Sequence, residues 1–170
     1  LGYALTSTWA TILLISSFFS TANTSAIVTM SMLPGLAACL GALTLRNKVP
    51  PFNGRTSAAS VYATGMAVGT LLCTYPSLAA TPLIHNAGLL ICGFFAILLI
   101  LTWFDVFSRF SARTIVCMAG CALLLSAAFC YAILSCPVEV ASIAMATLPL
   151  VSFSLMPRYP HAKPAYAKNP

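Results

Sequence analysis

The residues of this sequence that could carry acid, base or metal chemistry are few. Its 170 residues include 2 acidic side chains, 2 histidines and 7 cysteines. The sequence has no Gly-rich phosphate loop, no HExxH or GxSxG motif, and no carboxylate pair placed to share acid and base work. This inventory lacks both a nucleophile with its base and a general acid–base pair. We therefore predict that the chain is not an enzyme and binds no cofactor.

The cysteines do not follow a metal-binding or disulfide pattern. No CxxC occurs, and an odd total of 7 cannot close into a complete disulfide set. Cys117 and Cys121 are four residues apart, so they share a helix face and permit a metal or thiol pair in principle. No histidine or carboxylate lies near them in sequence to complete a site. Free cysteine behaves as a small buried hydrophobe, so we predict packing roles and no metal site.

Two pairs of ionisable residues lie at the ends of apolar segments. His85 and Glu139 each begin such a segment. If the loops bring them together they form a pH-sensitive pair; two unpaired interfacial residues are the alternative. Asp105 precedes Arg109 by four residues, the helical spacing of a local ion pair. With Arg113, this stretch predicts either a topology signal at the membrane surface or a gating contact.

The segments that carry these residues are hydrophobic throughout. Hydrophobic residues make up 60% of the chain and charged residues 6%, with a mean hydropathy of +0.97, whereas a soluble domain has about 25% charged residues. The apolar runs are roughly 20 residues long, which is the length that crosses a bilayer as a helix. They are continuous, unlike the alternating strands of a membrane barrel. We predict an all-α integral membrane protein.

Six apolar segments divide residues 1–156. We predict transmembrane helices at about 3–19, 25–45, 58–75, 84–103, 114–134 and 137–155. The Pro34-Gly35 pair predicts a kink in the second, which neighbouring helices can accommodate. Residues 157–170 form a basic, proline-rich tail or linker. Because this tail follows the last span and the first residue is Leu1, we expect the chain to be part of a longer protein.

The 8 Lys and Arg residues predict the orientation of these spans. They fall within residues 46–55, residues 109–113 and the tail, and the other three loops contain none. Since basic residues mark cytoplasmic loops, we predict a multi-pass protein of the plasma or inner membrane with both termini in the cytoplasm. The net charge of +6 then lies along the inner face, beside anionic lipid headgroups. We expect this portion to contact membrane lipids and not nucleic acid.

A GxxxG motif marks the third predicted span as a packing helix. Gly65 and Gly69 are four residues apart, and such small residues let helix backbones approach closely in membranes. In a six-helix bundle the groove is filled by another helix of the same chain. A homodimer seam is the alternative.

The first predicted span is the most polar, and Thr8, Trp9 and Thr11 admit two interpretations. Threonine hydroxyls in a helix bond to carbonyls of their own helix, which carries no function. Alternatively, these three residues line an inner cavity that binds a small, uncharged ligand, since apolar pockets use a few convergent hydroxyls for that purpose. The sequence leaves both interpretations open.

Three stretches carry a resemblance to a known family: Leu1–Leu5 followed by Trp9-Ala10, the Pro34-Gly35 break, and Trp103–Arg113. They resemble the N-terminal membrane region of bacterial LuxR-type helix-turn-helix transcriptional regulators. In that family a polytopic, major-facilitator-like domain precedes a cytoplasmic DNA-binding domain. The resemblance implies a membrane sensor whose output domain is absent from this chain.

Three classes of function follow from these observations. The first is a sensory or regulatory membrane domain of a larger signalling or transcription-regulator protein. The second is half of a facilitator-like small-molecule transporter, completed by a further membrane half or a second copy. The third is a structural membrane subunit. Residues 46–55 resemble the facilitator inner loop but lack its acidic residue, and no predicted span has an ionisable residue at its centre. Both features count against ion-coupled transport.

Overall fold

The structure, a computed structural model, describes residues 1–15, 32–33, 36–37, 56–107 and 110–156. Within these residues it contains six α-helices and no β-strand, which confirms the predicted all-α class for this part of the chain. The helices are α1 (Gly2–Ile15), α2 (Thr56–Thr74), α3 (Pro76–Ala79), α4 (Pro82–Phe107), α5 (Ala112–Leu134) and α6 (Val138–Ser154).

The six helices are not the six predicted spans. α3 is a single turn inside the segment 76–83, which was expected to be a loop. It forms because Pro76 suits the first position of a helix and because the Tyr75 carbonyl accepts from Leu78 and Ala79 N–H groups, at 3.0 and 2.9 Å. The second predicted span, 25–45, lies outside the described residues except at 32–33 and 36–37.

α4 and α5 are longer than predicted. α4 begins at Pro82, again a proline in the first turn, and continues past the expected end at residue 103 to Phe107. Its last turn is retained because Val106 and Phe107 are buried. α5 begins at Ala112 because Ser111 caps it, its Oγ accepting the Thr114 N–H at 3.3 Å.

Among the described residues, two helices are long and apolar enough to cross a membrane. They cover Pro82–Phe104 and Ala112–Leu134, each 23 residues. Ala58–Thr74 and Val138–Ser154 are apolar but shorter. These helices support a membrane protein.

The helices pack in two groups that share α6. α2 lies along α4 and also contacts α6, whereas α1 contacts α5 and α6. The interior is filled by large side chains that are fully buried. The largest of them are Trp9, Ile12, Leu13, Met66, Leu89, Leu99 and Met145.

α2 and α4 approach each other most closely at two glycines. A Cβ on Gly69 would lie 2.6 Å from the Cys92 nitrogen, and a Cβ on Gly88 would lie 2.8 Å from the Cys73 nitrogen. Real side chains do not fit at such distances, so each glycine lets the other helix backbone into contact. Gly65 lies against a side chain of α4, the ring of Phe95. The predicted GxxxG groove is therefore occupied by α4 of the same chain.

Candidate functional site

Hydroxyl side chains supply the buried polar groups of the described residues. They are Thr6, Thr8, Thr70, Thr74, Thr102, Ser126, Ser142 and Ser152. A hydroxyl buried among apolar side chains needs a hydrogen-bond partner. Several of these residues find theirs on a different helix, and these contacts form the candidate site.

Ser152 joins three helices at one end of the bundle. Its Oγ donates to the Gly2 carbonyl of α1 at 2.8 Å and accepts from Trp103 Nε1 of α4 at 3.1 Å. The Thr6 hydroxyl lies 2.8 Å from the same oxygen. Since Ser152 has one hydrogen and it is used on Gly2, Thr6 is the donor of this bond. We call these four residues the Ser152 junction.

Aromatic rings enclose the Ser152 junction. Tyr3 meets Trp103 and Phe107 edge to face, with ring centroids 6.3 and 4.8 Å apart. A Cβ on Gly2 would lie 2.6 Å from Trp103 Cζ2, so the indole rests directly on the first turn of α1. Trp103 and Ser152 are 5% and 0% exposed. The Ser152 junction is therefore buried, and its two hydroxyls and its indole N–H are hydrogen-bonded.

A second junction connects α1 with α2 and α4. Trp9 Nε1 donates to Thr70 Oγ1 at 2.9 Å, and that hydroxyl donates to the Met66 carbonyl at 2.7 Å. Thr70 Oγ1 also lies 3.5 Å from Cys92 Sγ. Trp9, Thr70 and Cys92 are completely buried, and we call these three residues the Thr70 junction.

The residues predicted to line a ligand cavity lie on different sides of α1. Thr8 Oγ1 donates to the Ala4 carbonyl at 2.8 Å and lies 3.2 Å from Ser126 Oγ of α5. Trp9 instead contacts α2 through Thr70. Thr11 is half-buried. The structure thus uses Thr8 and Trp9 to hold α1 in place, and the ligand cavity stays a prediction.

His85 and Ser142 contact the C-terminal end of α2. The last carbonyls of a helix have no partner within it, and two of these are satisfied from other helices. His85 Nδ1 lies 3.0 Å from the Cys73 carbonyl, and Ser142 Oγ donates to the Thr74 carbonyl at 2.9 Å. A carbonyl only accepts, so Nδ1 carries the hydrogen. The other ring nitrogen, Nε2, is buried and has no hydrogen-bond partner among the described residues.

The other predicted ionisable contacts are placed as follows. Glu139 is exposed in the first turn of α6, and no hydrogen bond or ion pair joins it to His85 in the part of the chain that the structure describes. Arg113 is exposed in the first turn of α5. Arg109 and the side chain of Asp105 lie outside the described residues, so their ion pair stays a prediction.

Sequence reasoning missed the partners at both junctions. Thr70, Ser126 and Ser152 are ordinary hydroxyl residues within apolar segments. Their only sequence signal is a place on the same helix face as small residues, as Thr70 shares a face with Ala63 and Ala67. That pattern does not say which helix lies opposite.

Comparison with known proteins does not add to this description. No family model, no curated protein and no solved structure matches the chain. The class defined by the described fold is an α-helical protein with helices able to cross a membrane. Its function has to be argued from the junctions themselves.

Proposed function

We propose that the chain is a six-span domain of the cell membrane that senses or regulates within a larger signalling or transcription-regulator protein. Both termini lie in the cytoplasm in this proposal. The start of α1 and the ends of α4 and α6 meet at the Ser152 junction, and these are the ends that the basic residues assign to the inner face. The C-terminal end of α2 and the starts of α4 and α6 meet at the outer face, around His85 and Ser142.

This topology makes a labelling prediction. In a cysteine-free variant, Thr81→Cys in the turn between α3 and α4 is expected to react with a membrane-impermeant maleimide added to intact cells. Ala112→Cys, at the start of α5, is expected to react only after the membrane is permeabilised. Both positions are exposed, so accessibility to the reagent decides the result. Labelling of both, or of Ala112→Cys alone, in intact cells contradicts the proposed orientation.

The observation that carries the regulatory role is the Ser152 junction. It ties the first helix to the last turn of α6, which leads directly into the tail at 157–170. A movement of α1 therefore has to break these bonds or drag the end of α6 with it. Interhelical hydrogen bonds in membranes contribute about 0.6 kcal/mol each, so three of them hold the end of α6 with about 2 kcal/mol. A ligand can shift an equilibrium of that size by binding one state modestly better than the other.

The proposed ligand is small and uncharged and acts at α1, where Thr8, Trp9 and Thr11 lie. Thr8 contacts α5 and Trp9 contacts α2, so a ligand displacing either side chain changes how α1 is held. The Ser152 junction lies on the same helix, through Gly2 and Thr6. A change in how α1 is held would then pass through the Ser152 junction and the end of α6 to an output segment beyond the tail.

The test uses the protein in its native cell. Ser152→Ala removes the hydroxyl that accepts from Trp103 and donates to Gly2. Ser154→Ala is the matched control, because Ser154 is exposed and bonds only to the Val151 carbonyl of its own helix. We expect a defined set of transcripts to change on gene deletion. Ser152→Ala should shift the same set, and Ser154→Ala should match wild type at equal membrane abundance.

Other results of this test would reject the regulatory role. If deletion alters no transcripts, the chain does not regulate transcription. If Ser152→Ala and Ser154→Ala both match the wild type, the Ser152 junction does not carry the signal. Uptake or efflux of a labelled small molecule that depends on the gene supports the facilitator-like transporter instead.

A structural role is the second candidate, and α5 is the observation that favours it. Only 11% of the α5 span is buried, against 50% for α4. Its large side chains Val116, Leu124 and Tyr131 are 73%, 76% and 78% exposed. Such a face packs against lipid, a second copy or a further membrane half. Co-purification of one partner in fixed stoichiometry, with no change in transcripts on deletion, supports this alternative.

A further inference from the structure

We infer that Cys73 and Cys92 form a binding site for a soft monovalent cation, Cu(I), at the crossing of α2 and α4. The two cysteines come from different helices and are 3% and 0% exposed. Both thiols lie beside the same residue, because Cys73 Sγ is 3.3 Å from the Thr70 carbonyl oxygen and Cys92 Sγ is 3.5 Å from Thr70 Oγ1. The structure thus places two sulfur ligands together in the dry interior of the bundle, separate from the Ser152 junction.

The glycine crossing places both cysteines at the contact between α2 and α4. Gly69 lies against the backbone of Cys92, and Gly88 lies against the backbone of Cys73. The two helices therefore present the same motif, Gly-x-x-x-Cys, in opposite directions. Each glycine brings the cysteine backbone of the other helix close, so backbone contact sets the positions of both cysteines. Rigid placement of ligands on helices is what a preformed metal site requires.

The number and type of ligands select the ion. The described residues contain no cluster of three or more His, Cys, Asp or Glu side chains that could hold a metal. Zn²⁺ in structural sites takes four ligands, so two thiols do not suffice for it. Thiolates are soft ligands that select Cu(I), and two of them on opposite sides of the ion complete its linear coordination.

The binding step exchanges protons for the ion without electron transfer. Both S–H bonds break, two S–Cu bonds form, and two protons leave to water, so the complex carries one negative charge. The thiol hydrogens are held weakly beforehand, because Cys73 Sγ donates to the Thr70 carbonyl at 3.3 Å and Cys92 Sγ meets Thr70 Oγ1 at 3.5 Å. The Thr70 hydroxyl can turn from the Met66 carbonyl to donate to the Cys92 thiolate.

The chain contains its own control pair. Cys117 and Cys121 are free and exposed on α5, where they share a helix face but face outward. They would capture metal at the surface without a preformed site. The five-serine variant isolates the buried pair by replacing every other cysteine of the chain, namely Cys39, Cys117, Cys121, Cys130 and Cys136. Replacing Cys73 and Cys92 in that background removes the pair.

The experiment titrates Cu(I) into the detergent-purified full chain, without oxygen, against a coloured Cu(I) chelator. We expect the five-serine variant to bind one Cu(I). X-ray absorption should show two sulfur neighbours. Adding Cys73→Ala or Cys92→Ala should weaken binding by at least about 100-fold, because one thiolate remains. Helix content by circular dichroism shows that each variant is folded, and alanine is small enough for the crossing.

Three outcomes would overturn the inference. The first is binding that disappears in the five-serine variant, which assigns the metal to cysteines other than Cys73 and Cys92. The second is binding that persists in the folded Cys73→Ala/Cys92→Ala variant. The third is a chain isolated anaerobically with Cys73 and Cys92 already joined as a disulfide, shown by a mass two hydrogens lower and by resistance to alkylation, which makes the pair a structural cross-link.

Discussion

Gly88→Leu is expected to lower the free energy of unfolding by at least about 3 kcal/mol, at the upper end of overpacking effects. A Cβ at this position already lies 2.8 Å from the Cys73 nitrogen and 2.9 Å from the Gly69 carbonyl oxygen. Both contacts are backbone atoms, which cannot turn aside as a flexible side chain would. The larger leucine therefore forces α2 and α4 apart.

Gly120→Leu is the matched control for this substitution. Gly120 is also in the middle of an apolar helix, α5, but a Cβ there meets nothing within 4 Å. Removing a helical glycine stabilises by about 0.5–1 kcal/mol. Unfolding in mixed micelles, followed by circular dichroism, measures both variants. Equal stability of the two would mean that α2 and α4 do not meet at Gly88.

Trp9→Ala is expected to destabilise the protein by about 3–5 kcal/mol, the usual cost of deleting a large buried aromatic ring. Trp9 is completely buried, and its indole N–H is the hydrogen-bond donor that joins α1 to Thr70 of α2 at 2.9 Å. The variant loses this bond and leaves a cavity between α1, α2 and α4. Trp9→Phe keeps most of the volume but loses the bond, so it should fall between alanine and the wild type.

Tyr131→Ala controls for the loss of an aromatic ring. Tyr131 is 78% exposed on α5, and substitutions at such positions change stability by less than about 0.5 kcal/mol. The same unfolding measurement compares the variants. An effect at Tyr131 as large as that at Trp9 would show that this face of α5 is covered.

The sequence predicted the helical class and most helix positions in the described chain because both depend on local properties. Long apolar runs determine where α4 and α5 lie, and their bounds moved by only a few residues. The earlier starts came from Pro82 and Ser111, whose helix-starting chemistry is local too. The later end of α4 came instead from the burial of Val106 and Phe107. The Pro76 turn is a third case of this kind.

Partners between helices could not be predicted in the same way. Gly69 was identified as a packing residue, but nothing in its pattern names Gly88 and Cys92 as the opposite surface. Ser152 looks like Ser154 in sequence, yet one is buried with three partners and the other bonds only within its own helix. The difference depends on which helix lies opposite, and in a membrane the lipid-facing and helix-facing sides are both apolar.

The capping of α2 by distant side chains sets an order for biosynthesis. The groups that satisfy its last carbonyls come 12 residues later, at His85, and 68 residues later, at Ser142. Ser152 is 150 residues from its Gly2 partner. In a chain emerging from the ribosome, α1 and α2 therefore lack these hydrogen-bond partners until α6 has been made. The bundle closes only after α6 has been made, and a chain stalled before α6 is the form that quality-control proteases would recognise.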